Sequence, residues 1–419
     1  MTNSISLKAL SMWFCAALFY GFQFILRVSP GVMAEDLMIN LGIDACALGT
    51  LISVYYIGYS GMQIPAGILI DKFGVRSPLS IACFLCLFGC IVFSLSDNLY
   101  FLAIGRFFIG VGSAFGLLSC IKIASIWIHP KYLTLFVGLA LIVGTTGAVS
   151  GNYPLSLMIK AYDWRTVNII LGILSLVLGL LSWFIIADNR EGEKSIHISK
   201  EPLLISLKEI VVKPQTWVFG IYGMMMYAPL SGFGDLWGIP FVMKVYNLDK
   251  TEASKALSYF YIGVGVGSPL WSLILTYLKS YKGTMILSAV TAFLSMTYII
   301  YYSPESYTIA LVLYFMAGLA CAGQFVAFGG VADINDRHRT ATASGFHNML
   351  CMISGVVLQP LIGKLLVISS CTNDVENNIV YSVKDFYFGL ATMPIATFVA
   401  IVSVFFIKEV YNPYILKSK

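Results

Sequence analysis

The sequence predicts an all-α membrane protein with twelve transmembrane helices in two pseudo-symmetric six-helix bundles. The first observation behind this prediction is composition. Only 11% of the 419 residues are charged, 58% are hydrophobic and the mean hydropathy is +0.83, whereas soluble globular proteins carry about 25% charged residues. With so few charged residues the chain cannot consist of several soluble domains, and its high hydrophobicity excludes intrinsic disorder.

The second observation is a series of twelve apolar stretches, each near the roughly 20 residues that a transmembrane helix needs. A charged segment divides them into six and six. This predicts an N-terminal bundle over 1–187, a cytoplasmic linker over 188–213 and a C-terminal bundle over 214–419. The twelve spans are predicted at 9–33, 47–70, 78–96, 99–121, 133–156, 166–187, 215–243, 254–278, 284–302, 307–331, 341–367 and 386–407.

The distribution of lysine and arginine predicts the orientation of these spans. With a cytoplasmic N-terminus, 17 of the 26 basic residues fall in inner segments and 7 in outer ones. Because cytoplasmic loops are enriched in basic residues, both termini and the linker are predicted to be cytoplasmic. Compact loops favour a bacterial inner membrane.

The third observation is an internal repeat at an offset near 210 residues. The segment 26–33 in span 1 matches 236–243 in span 7, Tyr56-Ile57-Gly58 matches Tyr261-Ile262-Gly263, and 106–110 matches 314–318. Three matches in the same order predict two related six-helix units. Transporters built from such repeats bind their substrate near the membrane midplane.

The segment after the second apolar stretch carries a family motif. Gly67-Ile68-Leu69-Ile70-Asp71-Lys72-Phe73-Gly74-Val75-Arg76 resembles the signature between helices 2 and 3 of the major facilitator superfamily. The resemblance implies a cytoplasmic latch made by Asp71 near the start of span 11, with Lys122 as a further partner and Gly67 allowing close helix approach. The alternative is a charged turn that only enforces topology. The gating and structural residues implied are Gly67, Asp71, Lys72, Gly74, Arg76 and Lys122.

Further segments extend this resemblance over most of the chain. Residues 105–114 are similar to the superfamily's helix 4 motif, and Asp163-Trp164-Arg165 matches the usual start of helix 6. The span 5 glycines at 138, 144, 147 and 151 resemble a motif of proton-coupled exporters. However, Thr145 stands where that motif has a proline, which weakens the exporter interpretation.

Three charged residues lie clearly within predicted spans, away from the span ends: Arg27, Arg106 and Asp235. A charge at the centre of a membrane helix costs about 2.5–3.5 kcal/mol on translocon scales, so such residues indicate function by default. An arginine fork donates two parallel hydrogen bonds to a carboxylate, which predicts a small organic anion or an amino-acid-like zwitterion as substrate. The predicted substrate-binding residues are Arg27, Tyr20, Gln23, Tyr55, Tyr59, Arg106, Gln324 and Asn348.

The first half is most similar to the organic-anion transporter branch of the superfamily. That branch often has acids for proton coupling where Leu26 and Ser113 stand here, so proton symport does not carry over. Asp235 is the remaining coupling candidate, and an ion pair or an aqueous helix-end position is its alternative role. Uniport, exchange and coupling through Asp235 all stay open.

These features predict a secondary transporter that works by alternating access. A drug or metabolite efflux antiporter and a non-transporting membrane receptor are the alternatives. No phosphate-binding loop occurs, so ATP-driven pumping is not expected. We expect no enzyme activity, because no soluble segment exceeds the linker over 188–213, and we expect no cofactor. Cys83, Cys86 and Cys90 lack His or acidic neighbours, so no metal site is expected. The expected partners are a small-molecule substrate, the lipid bilayer and, if transport is coupled, a proton; no nucleic acid is expected, and the chain is expected to be a monomer.

Overall fold

The computed structural model describes residues 6–188, 203–336, 339–370 and 381–409, and in these ranges every regular element is helical. The chain divides into two compact units, residues 1–43 with 47–198, and residues 199–419 with 44–46. Unit 1 contains α1 (Leu7–Leu41), α2 (Ala45–Phe73), α3 (Arg76–Leu95), α4 (Leu99–Ser113), α5 (Phe115–Trp127), α6 (Leu133–Ser150), α7 (Tyr153–Ala161) and α8 (Trp164–Ile185).

Unit 2 contains the remaining helices and one stretch of π-helix. They are α9 (Leu203–Val212), α10 (Pro214–Ala228), the π segment (Pro229–Trp237), α11 (Gly238–Tyr246), α12 (Lys250–Leu278), α13 (Tyr281–Tyr301), α14 (Tyr307–Cys321), α15 (Gln324–Asp333), α16 (Thr340–Ser370), α17 (Val383–Leu390) and α18 (Thr392–Val404). Each of the twelve predicted spans coincides with one helix or with consecutive helices, which confirms the predicted fold class.

Ten helical spans in the described residues are long and apolar enough to cross a membrane. The second and seventh spans fall outside this set. Tyrosine, serine and glycine lower the hydropathy of α2, and the π segment divides the seventh span into short pieces. The first span is longer than predicted: its 35 residues extend over about 52 Å at 1.5 Å per residue, more than the roughly 30 Å hydrocarbon core.

The second half of the predicted linker is a helix that packs on unit 2. In α9, Ile210 is fully buried and Glu209 pairs with Arg339 at 3.0 Å. Trp217 Nε1 donates to the carbonyl of Val211 at 2.8 Å. These contacts were not predicted, because an amphipathic segment of ten residues is too short to be distinguished from a polar loop. Residues 189–202 of the predicted linker lie outside the described ranges.

Small residues bring span 5 against span 1. A β-carbon on Gly147 would lie 2.9 Å from the Gly21 Cα, and one on Gly144 would lie 2.9 Å from the Phe24 ring. These approaches are closer than ordinary van der Waals contact. The glycines that resemble an exporter motif therefore have a packing role within unit 1, except Gly138, whose β-carbon would meet nothing within 4 Å.

The internal repeat appears in the packing as two interlocking glycine pairs. In unit 1, β-carbons on Gly58 and Gly110 would overlap the carbonyl oxygens of Phe107 and Tyr55, respectively. In unit 2, β-carbons on Gly263 and Gly318 would overlap the carbonyl oxygens of Phe315 and Phe260. Each second-half residue lies 205 or 208 positions after its first-half counterpart. The sequence matches in spans 2 and 4 thus mark the contact where the two helices pack most closely.

Candidate substrate-binding and coupling sites

A cluster of polar and aromatic side chains surrounds Arg27 in unit 1. The residue is 3% exposed, and its Nη2 donates to Gln23 Oε1 at 3.2 Å while its Nε donates to Tyr55 OH at 3.4 Å. Its guanidinium carbon lies 4.4 Å from the Phe24 ring centroid and 5.0 Å from that of Tyr59. Aromatic faces attract a cation, so the surroundings of Arg27 hold its charge in a fixed position away from water.

Tyr55 lies between the two arginines of this cluster. Its ring centroid is 4.9 Å from the guanidinium carbon of Arg106 and 5.9 Å from that of Arg27. Arg106 also donates from Nη1 to the carbonyl of Leu26 at 3.0 Å. This bond connects α4 to α1 and gives Arg106 a helix-linking role beside any contact with a substrate.

Of the six predicted binding residues in unit 1, Tyr20 has a different environment. It is buried, its ring packs edge-on against Phe24 at 5.3 Å, and Gly116 and Gly144 leave the space that it fills. Helix packing therefore accounts for its position. The other five, Gln23, Arg27, Tyr55, Tyr59 and Arg106, form one group of contacting side chains.

The predicted residues of unit 2 lie on three different helical segments. Gln324 is buried at the first position of α15, directly after the break between α14 and α15. Asn348 is half-buried on α16. Asp235 is 1% exposed and lies in the π segment.

Asp235 accepts a hydrogen bond from Tyr261 OH of α12. The π segment that carries it is fixed to α16 by two bonds: Gln359 Nε2 donates to the Ser231 carbonyl at 2.9 Å, and Trp237 Nε1 donates to the Gln359 carbonyl at 3.0 Å. Since π-helical turns are often found at functional sites, this geometry makes Asp235 a stronger candidate than its sequence position did. Sequence reasoning missed Tyr261, although the repeat match to Tyr56 singled it out.

The family motif over 67–76 has a shorter loop than predicted. Residues 67–73 continue α2, so the turn consists of Gly74 and Val75 alone. Lys122 Nζ lies 2.7 Å from Asp71 Oδ1 in an exposed pair, and Lys72 extends over the neighbouring Phe73 ring. A β-carbon on Gly67 would meet no described atom within 4 Å, so no described contact within unit 1 accounts for this glycine, and its role in a close helix approach stays a prediction.

Gly74 is required for a contact that the sequence did not reveal. Its φ of +80° suits glycine, and a β-carbon would overlap the carboxylate of Asp188. Asp188 Oδ1 accepts from the backbone N–H groups of Val75 at 2.6 Å and Arg76 at 2.9 Å, at the start of α3. The guanidinium of Arg76 lies 4.5 Å from the Trp183 ring centroid.

Unit 2 repeats this arrangement. Glu409 accepts from the N–H groups of Tyr281 at 3.0 Å and Lys282 at 3.1 Å, at the start of α13. Carboxylates are favoured at helix N-termini, where backbone N–H groups lack intrahelical partners. An acidic residue directly after the sixth and twelfth spans is the sequence signal that could have predicted both contacts.

Comparison with known proteins decides the family. A family model described as Major Facilitator Superfamily matches residues 12–358 and 230–415. The chain belongs to the Major Facilitator Superfamily. This confirms the resemblance read from the motifs, and the chain is accordingly a multi-pass membrane protein of a transporter family.

Several members of the superfamily are similar in sequence. The chain is 23% identical over 280 residues to a probable L-galactonate transporter of Escherichia coli, covering 61% of this chain and 59% of that one. It is 20% identical over 364 residues to a hexuronate transporter of the same organism, covering 82% and 84%. It is 22% identical over 362 residues to the membrane sensor protein UhpC of Salmonella typhimurium, covering 80% of each. The chain spans about half the length of several curated relatives that it matches.

A solved structure supports the fold. A bacterial homologue of the human lysosomal transporter Spinster, in an inward-facing and occupied conformation, matches with a TM-score of 0.74 at 15% identity, covering 94% of this chain and 96% of that one. At this identity the match shows the superfamily fold alone.

Proposed function

We propose that this protein is a secondary transporter that moves a small organic anion of the sugar-acid class by alternating access of its two six-helix bundles. The buried guanidinium of Arg27, held among Gln23, Tyr55 and Tyr59, is the observation that carries the proposal. Such a charge is costly inside a membrane, and a guanidinium fork matches a carboxylate with two parallel hydrogen bonds. The galactonate and hexuronate transporters among its relatives are named for carboxylated sugars, which supports the sugar-acid class over amino acids.

Uptake into proteoliposomes tests this proposal. We expect L-galactonate or glucuronate to be taken up by the wild-type protein, and Arg27→Lys to lose about 10- to 100-fold in kcat/KM. That loss corresponds to the roughly 1.5–3 kcal/mol of a hydrogen bond to a charged group. Arg165→Lys is the matched control, because Arg165 donates to the Ser94 carbonyl and pairs with Asp97 instead of joining the Arg27 cluster. Equal uptake by the Arg27 and Arg165 variants would exclude Arg27 from the site.

Asp235 is the proposed coupling residue. Tyr261 OH donates a hydrogen bond to its carboxylate, and we propose that this bond changes when Asp235 gains or loses a proton. If a proton moves with the substrate, uptake by the wild-type protein depends on pH, and Asp235→Asn removes that dependence while exchange of labelled for unlabelled substrate continues. Uptake that is independent of pH in the wild-type protein would instead support uniport or exchange.

A sensor is the second candidate, since the UhpC relative is named a membrane sensor protein. A sensor would bind a sugar acid in a thermal-shift assay without moving it across the proteoliposome membrane. Efflux is a third candidate, but the span 5 glycines no longer favour it because most of them pack against α1. We further propose a monomer in a bacterial inner membrane with both termini in the cytoplasm. Reporter fusions to each terminus would test the orientation.

A further inference from the structure

The side-chain amide of Gln23 accepts the hydrogen bonds that Arg27 and Tyr55 could donate to a bound anion. Gln23 Oε1 accepts one hydrogen bond from Arg27 Nη2 at 3.2 Å and another from Tyr55 OH at 3.1 Å. A charged donor and a phenol that converge on a single oxygen form the arrangement that suits one oxygen of a carboxylate. In this structure that oxygen belongs to the protein itself.

The cluster is closed around the amide. Gln23 and Tyr55 are each 0% exposed, and Arg27 is 3% exposed. An anion can therefore reach the same donors only if the Gln23 side chain leaves its position. The donors and their present acceptor lie on α1 and α2, so the rotation of one side chain frees the donors and no helix has to unfold.

The amide is held through its oxygen alone. Gln23 Nε2 is buried and has no hydrogen-bond partner among the described residues. Buried amides are usually satisfied at both ends, because an orphan donor is costly. When the Gln23 side chain moves away, only the two hydrogen bonds that its neutral oxygen accepts are broken.

We propose that Gln23 is an internal stand-in for the substrate carboxylate, which fills the anion site of the empty protein and is displaced when the anion binds. This inference rests on the proposed function of the Arg27 cluster. A carboxylate forms charge-assisted hydrogen bonds that are about twice as strong as neutral ones, so it replaces the amide. A neutral sugar would replace the neutral amide oxygen of Gln23 with a neutral hydroxyl oxygen and would gain no charge-assisted hydrogen bond. Gln23 is therefore not displaced, and the site rejects neutral sugars.

Two changes at Gln23 in the full-length protein test the proposal. Gln23→Glu places a carboxylate permanently on the donors. Without any ligand, we expect it to raise Tm by about 2–6 °C and to lower uptake of L-galactonate and glucuronate at least about 100-fold. Gln23→Leu removes the stand-in, and we expect about ten-fold lower KM for the same acids, with a relative gain in binding of neutral galactose.

Gln359→Glu is the matched control for stability. Gln359 is also 0% exposed, but its Nε2 donates to the Ser231 carbonyl at 2.9 Å. A carboxylate there would face a carbonyl oxygen, and we expect Tm to fall. The opposite signs of the two Tm shifts separate a site that accepts a carboxylate from ordinary burial of a charge.

Three results would overturn the inference. If Gln23→Glu lowers Tm as Gln359→Glu does, the donors do not accept a carboxylate. If Gln23→Glu retains uptake that still depends on Arg27, the amide does not compete with the substrate. If Gln23→Leu raises KM, the amide contacts the substrate directly. A wild-type protein that takes up neither acid would contradict the proposed function instead, and the ligand-free Tm comparison would still decide the role of Gln23.

Discussion

A close contact between α2 and α4 in unit 1 gives a prediction whose size follows from the structure. A β-carbon on Gly110 would lie 2.9 Å from the carbonyl carbon of Tyr55 and 3.1 Å from its Cα, whereas ordinary contact is 3.4–4 Å. The atoms that the added β-carbon would meet belong to the backbone and cannot rotate away, so α2 and α4 must separate. Overpacking of this kind costs about 1–3 kcal/mol, and alanine gains roughly 1 kcal/mol over glycine in a helix, so the net cost is up to about 2 kcal/mol.

We therefore expect Gly110→Ala to lower Tm by up to about 8 °C, since 1 kcal/mol corresponds to about 2–4 °C for a unit of this size. Uptake should fall as well, because Tyr55 moves relative to Arg27. Gly61→Ala is the matched control: Gly61 is in α2 with open space at its β-carbon, and its Tm should rise by up to about 4 °C. Differential scanning fluorimetry of the purified variants measures both. Equal Tm values for the two variants would refute the packing argument.

Two further predictions concern carboxylates at helix ends. Asp188→Asn should lower Tm through the loss of charge-assisted capping, at a cost of about 1 kcal/mol; Glu409→Gln should act similarly in unit 2, and no change in either would show that the caps are dispensable. Hydrogen bonds from the N–H and hydroxyl of Thr166 lower the pKa of Asp163 below its usual 3.8. Its stabilising contribution is therefore full above pH 3.8 and lost as the pH falls through the lowered value. The Tm difference between wild type and Asp163→Asn should shrink when the pH is reduced from 5 to 3, and a constant difference would contradict this.

Hydropathy was sufficient to predict the helices and their approximate limits. A span is defined by consecutive residues, so its position can be read along the chain, and the ends of α3, α8 and α12 lie within a few residues of the predicted limits. The exceptions have local causes that hydropathy does not report. The π segment in span 7 depends on backbone hydrogen bonding, and α9 is fixed in part by the pairing of Glu209 with Arg339, which is far along the chain.

The candidate site was predicted in part. Helical spacing placed Gln23 and Arg27 on one face of α1, and Tyr55 and Tyr59 on one face of α2. Spacing within a helix cannot say which faces meet. Only the packing of α1, α2 and α4 brought these residues into one cluster, and the packing of α1 against α5 and α6 placed Tyr20 in contact with Gly116 and Gly144.

The sequence by itself determined the class of protein, the number of spans, the internal repeat and the few charges inside the membrane, because composition and periodicity are properties of neighbouring residues. The tertiary structure decided the partners of those charges. It pairs Arg27 with Tyr55, Asp235 with Tyr261, and Asp188 with the start of α3. These contacts join residues on different helices or turns, and they depend on how closely glycines let the helices approach.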